Sequence, residues 1–203
     1  MPKKIILITG GCSGIGYEMS KFFLNKGNTI ISLDINDYSD LIKISSSRYF
    51  FYKFDLEKYK NIDKVFNNII SKFINIDVLI NNARSPSKKD FLSESHSSWN
   101  SNFNINLHSH FFLSRQFLIN KLNIKKRRYI VNISSISGKF ITSQSPSYNI
   151  TKAALLHMSN YFATLGKKYN CNTNAILPGL IIQKRHNENF NSKDNQIFKN
   201  KAT

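Results

Sequence analysis

Apolar residues recur along this chain in two alternating rhythms. Short runs rich in Ile, Leu, Val and Phe occupy Lys4–Thr9, Asn28–Leu33, Tyr49–Phe54, Asp77–Ile80, Tyr129–Ile133 and Thr173–Leu177. Runs of that length without polar alternation mark strands buried on both faces, as in a parallel sheet. Between them lie longer stretches with apolar residues three and four apart. These are Gly14–Asn25, Glu57–Phe73 (with Ile62, Val65, Phe66, Ile69 and Ile70), Ser97–Leu122 and a segment over 147–169. That spacing lays one apolar stripe along an α-helix. Strand and helix alternate from end to end, so the expected fold class is α/β, a three-layer doubly wound parallel sheet covered by helices. A single domain over 1–203 is expected. Its stretch 183–203 is polar, basic and weakly patterned, and is expected to be mobile.

Two junctions carry candidate chemistry. The first is the turn Thr9-Gly10-Gly11-Cys12-Ser13-Gly14-Ile15-Gly16, between a strand and a helix. Glycines there permit a tight turn and let backbone N–H groups approach a pyrophosphate at the helix N-terminus. Asp34 ends the second strand, where a carboxylate can accept from ribose hydroxyls and repel a 2′-phosphate. No Lys or Arg lies in the turn or directly after Asp34, which favours NAD over NADP. The second junction is Asn132–Lys152. Ser134 and Ser135 follow a strand, Tyr148 comes thirteen residues after Ser135, and Lys152 four later. On a helix those last two share a face. A phenol is a poor base at neutral pH, and a neighbouring ammonium favours its phenolate. That suits a general acid/base acting on an alcohol proton. An exposed helical pair is the competing reading, and the serines at the strand end weigh against it.

Composition changes the picture little. The formal charge of +17 over 203 residues is compatible with an anionic partner or with a biased Lys-, Asn- and Ile-rich composition. With no basic stripe interleaved with aromatics, the second reading is preferred and no nucleic-acid partner is expected. The densest basic run, Lys125-Lys126-Arg127-Arg128, falls between a helix and a strand, where a solvated turn is expected. No apolar run approaches the roughly 20 residues that span a bilayer, so no membrane partner is expected. Two cysteines, Cys12 and Cys171, fit a reducing, cytoplasmic setting. The five histidines show no metal-ligand spacing, so no metal site is expected.

Taken together, the TGGCSGIG turn, Asp34, Asn81-Asn82-Ala83, NISS and YNITK resemble the short-chain dehydrogenase/reductase family, over about Lys4 to Ile182. The resemblance implies a Rossmann fold, here without the family's usual last strand. It implies an oxidoreductase moving a hydride between NAD(H) and a secondary alcohol or ketone. Tyr148 would be the acid/base and Lys152 its partner. Ser135 would hold the substrate oxygen, and Asn106 would position a relay water. Cofactor contacts would fall to Gly10, Ser13, Gly14, Ile15, Gly16, Asp34, Asp55, Leu56, Asn81, Tyr148, Lys152 and Ile181. The helices at 97–122 and 147–169 would form a homo-oligomer interface. Arg84 and Gln183 depart from the family pattern, and Arg84 with the basic balance adds an anionic or sugar-linked small molecule to the substrate classes left open. The chain's end at Thr203 raises an alternative, an inactive NAD-binding relic or regulatory module.

Overall fold

The computed structural model describes residues 2–37, 39–73, 75–85, 90–120 and 126–181. All six expected strands join one sheet: β1 (Ile5–Thr9), β2 (Thr29–Asp34), β3 (Tyr49–Lys53), β4 (Val78–Asn81), β5 (Arg128–Ile133) and β6 (Cys171–Ile176). Their order is β3-β2-β1-β4-β5-β6, and every pairing is parallel. The order reverses between β1 and β4. In open parallel sheets the crevice beyond the strand ends at such a reversal is where ligands bind. The glycine turn after β1 and Asn82 after β4 flank that crevice.

Alternation along the strands assigns the core to two faces. Leu7, Ile31, Leu79 and Ile130 pack with Phe66 and Ile69 of α3 (Ile62–Lys72), Leu113 and Phe117 of α5 (Ser109–Ile119), and Leu155 and Phe162 of α6 (Pro146–Thr164). Ile6, Ile8, Ile30 and Ile80 face Leu24 of α1 (Gly14–Asn25) and Leu41 of α2 (Ser39–Ile44). Each fully buried side chain of this size contributes about 1.5–3 kcal/mol by leaving water. The strands are apolar on both sides because helices cover both sides.

The helices are more broken than their periodicity predicts. The stretch expected as one helix from Glu57 opens with a 3₁₀ segment, Leu56–Asn61, in which Lys58 has φ −84° and ψ 41°. Asp55 explains that start, since its carboxylate accepts from Glu57 N at 2.9 Å and holds the turn tight. The helix expected over Ser97–Leu122 is three pieces. α4 (His96–Phe103) begins at a Ser95 cap, a π-turn spans Asn104–His108, and α5 follows. Residues 121 and 122 of that expectation lie outside the described residues. α6 starts at Pro146, with the Ser145 hydroxyl accepting from Tyr148 N at 3.2 Å. A single turn, α7 (Gly166–Tyr169), leads through left-handed Asn170 into β6.

Arg128 does not belong to a solvated turn. It opens β5 and is buried, donating from Nη1 to Phe117 O at 2.6 Å and Asn120 O at 2.9 Å. Nη2 donates to Leu118 O at 3.2 Å. The last carbonyls of a helix have no partner within it, and here one guanidinium closes the end of α5. Burial draws the Arg128 pKa down from its ordinary value. The expected mobile stretch 183–203, with Gln183, lies outside the described residues.

Candidate active site

The turn after β1 is built to admit something at close range. Gly10 has φ +64°, a left-handed conformation that side chains disfavour. A Cβ on Gly16 would stand 1.9 Å from Gly10 O, so only glycine lets α1 seat this close to the strand end. Ser13 caps α1 in extended backbone, yet its hydroxyl makes no capping hydrogen bond. The first-turn N–H groups, with Ile15 among them, therefore keep their partial positive charge for an anion. Beside the turn, Asp34 Oδ2 accepts from Cys12 N at 3.0 Å and Oδ1 from Ile35 N at 2.7 Å. The carboxylate is thus fixed at the end of β2. Asp55 and Leu56 follow β3, Leu56 buried and Asp55 capping the 3₁₀ turn. Ile181, which follows β6, is exposed. Together these residues fit an adenine dinucleotide: a cradle that a Cβ would fill, open N–H groups for a pyrophosphate, and a carboxylate for ribose hydroxyls.

Asn81 acts from beneath this crevice. It is fully buried, and its Nδ2 donates to Ser114 Oγ at 2.9 Å and Asn132 Oδ1 at 2.8 Å, bracing β4 against β5 and α5. Its neighbour Asn82 is the one that reaches the glycine turn, donating to Thr9 O at 3.0 Å and Gly10 O at 3.2 Å. The sequence reading singled out Asn81 and passed over Asn82. Cys12 is a buried filler with Sγ 3.3 Å from the Tyr49 hydroxyl.

At the end of β5 the second junction closes around Lys152. Ser134 donates to Lys152 O at 2.8 Å, tying the strand end to α6. Ser135 caps the 3₁₀ turn Ile136–Gly138, accepting from Ser137 N at 3.1 Å. Lys152 is 1% exposed. Its Nζ donates to Ile133 O at 2.8 Å and lies 5.7 Å from the centre of the Tyr148 ring. Burial, with a smaller push from the charge of Arg84, brings its pKa down to about 7. Arg84 is solvent-exposed, with Nη1 donating to Ser85 O at 3.3 Å, and its field reaches the Lys152 site.

Asn106 sits in the π-turn, completely buried. Its Oδ1 accepts from Ser85 N at 2.8 Å, and its Nδ2 donates to Asn102 Oδ1 at 3.0 Å and Thr151 Oγ1 at 3.2 Å. Asn102 Nδ2 donates to Ser147 Oγ at 2.7 Å. Ser147 donates from its N to Glu94 Oε2 at 3.0 Å and from its hydroxyl to Glu94 Oε1. A continuous polar line thus joins Glu94 and the start of α6 to Asn106 and the segment after β4. Glu94, Asn102, Ser147 and Thr151 escaped the sequence reading. Their signal was present: Asn102 and Asn106, and Ser147 and Thr151, are four apart, marking polar stripes on helix faces that turn inward.

The family model for short chain dehydrogenases matches residues 4–195. The NAD-dependent glycerol dehydrogenase of Listeria innocua is 31% identical over 183 residues, covering 88% of this chain and 71% of that protein. Among solved structures, a short-chain dehydrogenase from Leptospira borgpetersenii with bound NAD+ superposes with a TM-score of 0.81 at 28% identity, covering 91% of this chain and 74% of that one. ElxO with NADP bound gives 0.81 at 27% identity, covering 95% and 80%. This chain belongs to the short-chain dehydrogenase family.

As a short-chain dehydrogenase it is an enzyme, an NAD(P)-dependent oxidoreductase on a Rossmann fold. Structural neighbours hold NAD in one case and NADP in another, so membership alone fixes the cofactor as NAD(P). Among the described residues no helix is long and apolar enough to cross a membrane, and no three His, Cys, Asp or Glu gather as a metal site.

Proposed function

We propose that this dehydrogenase moves a hydride between NAD(H) and a secondary alcohol or its ketone, on a small polar substrate that is anionic or sugar-linked. The observation that carries the reading is Lys152 buried beneath the Tyr148 ring beside the strand end that bears Ser135. Tyr148 exchanges a proton with the substrate oxygen, and the Ser135 hydroxyl holds that oxygen while charge develops on it. Lys152 places a positive charge next to the phenol, favouring proton release. Asn106 holds the π-turn open beside Lys152 and Thr151. The nicotinamide, when bound, gives or takes the hydride.

The same single domain holds the cofactor through Gly10, Ser13, Gly14, Ile15, Gly16, Asp34, Asp55, Leu56, Asn81, Tyr148, Lys152 and Ile181. Asp34 supports NAD over NADP, because a fixed carboxylate repels a 2′-phosphate and no cation stands beside it. Arg84 supports an anionic substrate. The exposed Trp99, Ile150 and Tyr161, on α4 and α6, support pairing with a second copy. The buried cysteines Cys12 and Cys171, which form no disulfide with each other, support a reducing, cytoplasmic setting.

Thermal unfolding in graded NADH and NADPH tests the cofactor. NADH at a hundred times its dissociation constant is expected to raise the midpoint by about 5–10 °C, with NADPH well behind. Turnover is then sought with polyols, hydroxy acids, sugar alcohols and their ketones. A midpoint that ignores both nucleotides would overturn the cofactor assignment. Silence across the panel would overturn the alcohol/ketone reading.

A further inference from the structure

The parallel sheet sorts charge in a way the linear sequence hides. All six strands start at one edge, and the helices between them end there. Acids gather at the opposite edge: Asp34 ends β2, Asp37 follows it, Asp55 and Glu57 follow β3, and Asp90 follows β4. Among the described residues the acid at the starting edge is Asp77, whose Oδ2 accepts from Ile5 N at 2.8 Å. Cations surround it. Lys3 and Arg48 close the end of α1, donating to Lys26 O at 3.0 Å and Leu24 O at 3.2 Å, and bring their charge to this edge. Arg127 precedes β5, with Nε 3.5 Å from Asn170 Oδ1. Cations at helix ends complement the helix dipole, but the dipole does not account for the rings beside them. Lys4 stands over the Tyr129 ring at 5.3 Å, Lys26 over Phe22 at 5.7 Å, Lys72 over Phe50 at 4.6 Å, and Lys168 over Tyr169 at 5.5 Å. The sequence has no basic stripe interleaved with aromatics, yet the fold assembles one from distant segments.

We propose that the strand-start edge of the sheet binds single-stranded RNA, with phosphates on its lysines and arginines and bases against its rings. Phosphate contacts supply affinity without reading sequence, and aromatic rings stack on any base. Six strands at about 4.8 Å spacing make an edge of about 24 Å, a fit for a short strand within the roughly 4–16 nucleotides that such surfaces hold. Tyr129, Phe50 and Tyr169 are half-buried. They offer ring surface to a base that turns toward them and protrude too little to enter a bilayer, so a flexible strand fits better than a membrane surface. In a cytoplasmic setting RNA is the abundant single-stranded polyanion. The crevice beside the glycine turn lies at the other edge, among the acids, so RNA and the dinucleotide occupy different ends of the molecule.

The test is fluorescence anisotropy of a labelled oligouridine of about 12 nucleotides, titrated with the full-length protein. Affinity should fall about 50-fold from about 50 to 200 mM salt, as neutralising about four phosphates of a single strand requires. Saturating NADH should leave it unchanged. The triple variant Lys26→Glu, Lys72→Glu, Lys168→Glu should bind about 30-fold more weakly. Lys58→Glu, Lys60→Glu, Lys64→Glu makes the same change of charge between β3 and the first turn of α3, and should stay within about threefold of wild type because salt screens distant charges. Phe22→Ala removes a ring and no charge, and should cost about tenfold. Equal losses in the two triples would reduce the effect to bulk charge and overturn the proposal, as would full affinity in Phe22→Ala. Displacement by NADH would put the RNA in the crevice instead, and sedimentation with phosphatidylserine vesicles by a protein that ignores oligouridine would make the edge a membrane surface; either overturns it. Should the first triple fail to fold, ultraviolet cross-linking of the wild-type protein decides. Cross-links are expected on peptides bearing Phe22, Tyr129 or Tyr169, and cross-links confined to the glycine turn would overturn the assignment.

Discussion

The helical layer α3–α4–α5–α6 has two seams, both buried and opposite in character. Where α3 meets α5 and the sheet, the interior is Phe66, Ile69, Leu113 and Phe117. Where α4 and the π-turn meet α6, it is Asn102, Asn106, Ser147, Thr151 and Lys152, all buried. Apolar burial is non-directional and stabilises roughly in proportion to area. Buried polar groups add little net stability, but satisfied networks allow a single arrangement and penalise any other. The first seam holds the molecule together. The second sets the angle at which Lys152 and Tyr148 meet, and it tolerates a buried amine that the first could not.

That contrast is best broken at its functional extreme. Tyr148→Phe should lower turnover by about a thousandfold, within the range of a lost general acid/base, while the thermal midpoint stays within about 2 °C. The opposite pattern belongs to the apolar seam. Phe66→Ala should cost about 3–5 kcal/mol and lower the midpoint by about 10 °C, with NADH affinity at low temperature unchanged. Wild-type turnover in the first variant, or a wild-type midpoint in the second, would merge the two seams into one.

A subtler measurement sharpens the contrast through pH. Lys152 has its pKa lowered from 10.5 to about 7 in the folded protein. Between those values the unfolded chain binds the extra proton, so this group makes stability rise with pH, at up to about 1.4 kcal/mol per pH unit. Below about pH 7 its penalty is constant. Lys152→Met should remove that slope and be the more stable protein near neutrality, as read from urea midpoints between pH 6.5 and 9.5. Identical slopes in the two proteins would show that the amine is not buried in solution. The smallest effect is expected at Asp34→Asn, which should narrow the preference for NADH over NADPH by about tenfold in side-by-side titrations. An unchanged ratio would move cofactor discrimination elsewhere.

The apolar seam was legible in the sequence because its signal is periodic. Ile62, Phe66 and Ile69 repeat at helical spacing, and the six strands were found within a residue or two of their ends. The glycine turn was legible because Gly10 and Gly16 do what no other residue can. The polar seam was legible through Lys152, with Tyr148 and Ser135 beside it, and through Asn106 by the family resemblance. Asn102, Ser147 and Thr151 carry no chemistry alone and acquire meaning only when three elements converge. The π-turn was hidden for a related reason: its wider winding is set by what Asn106 grips, Ser85 and Thr151, which are distant in sequence. Arg128 was misread because a basic run suggests solvent, and nothing local shows that the end of α5 lacks donors.

The pairing of β1 with β4 also has a consequence in time. Ile5 N donates to Asp77 Oδ2 at 2.8 Å across 72 residues. At synthesis rates of about 5–20 residues per second, the first strand waits roughly 4–15 seconds for that neighbour to be made. The glycine turn, made together with β1, gains its contact with Asn82 only after that delay. An early-made segment thus takes its final shape only when a much later one arrives.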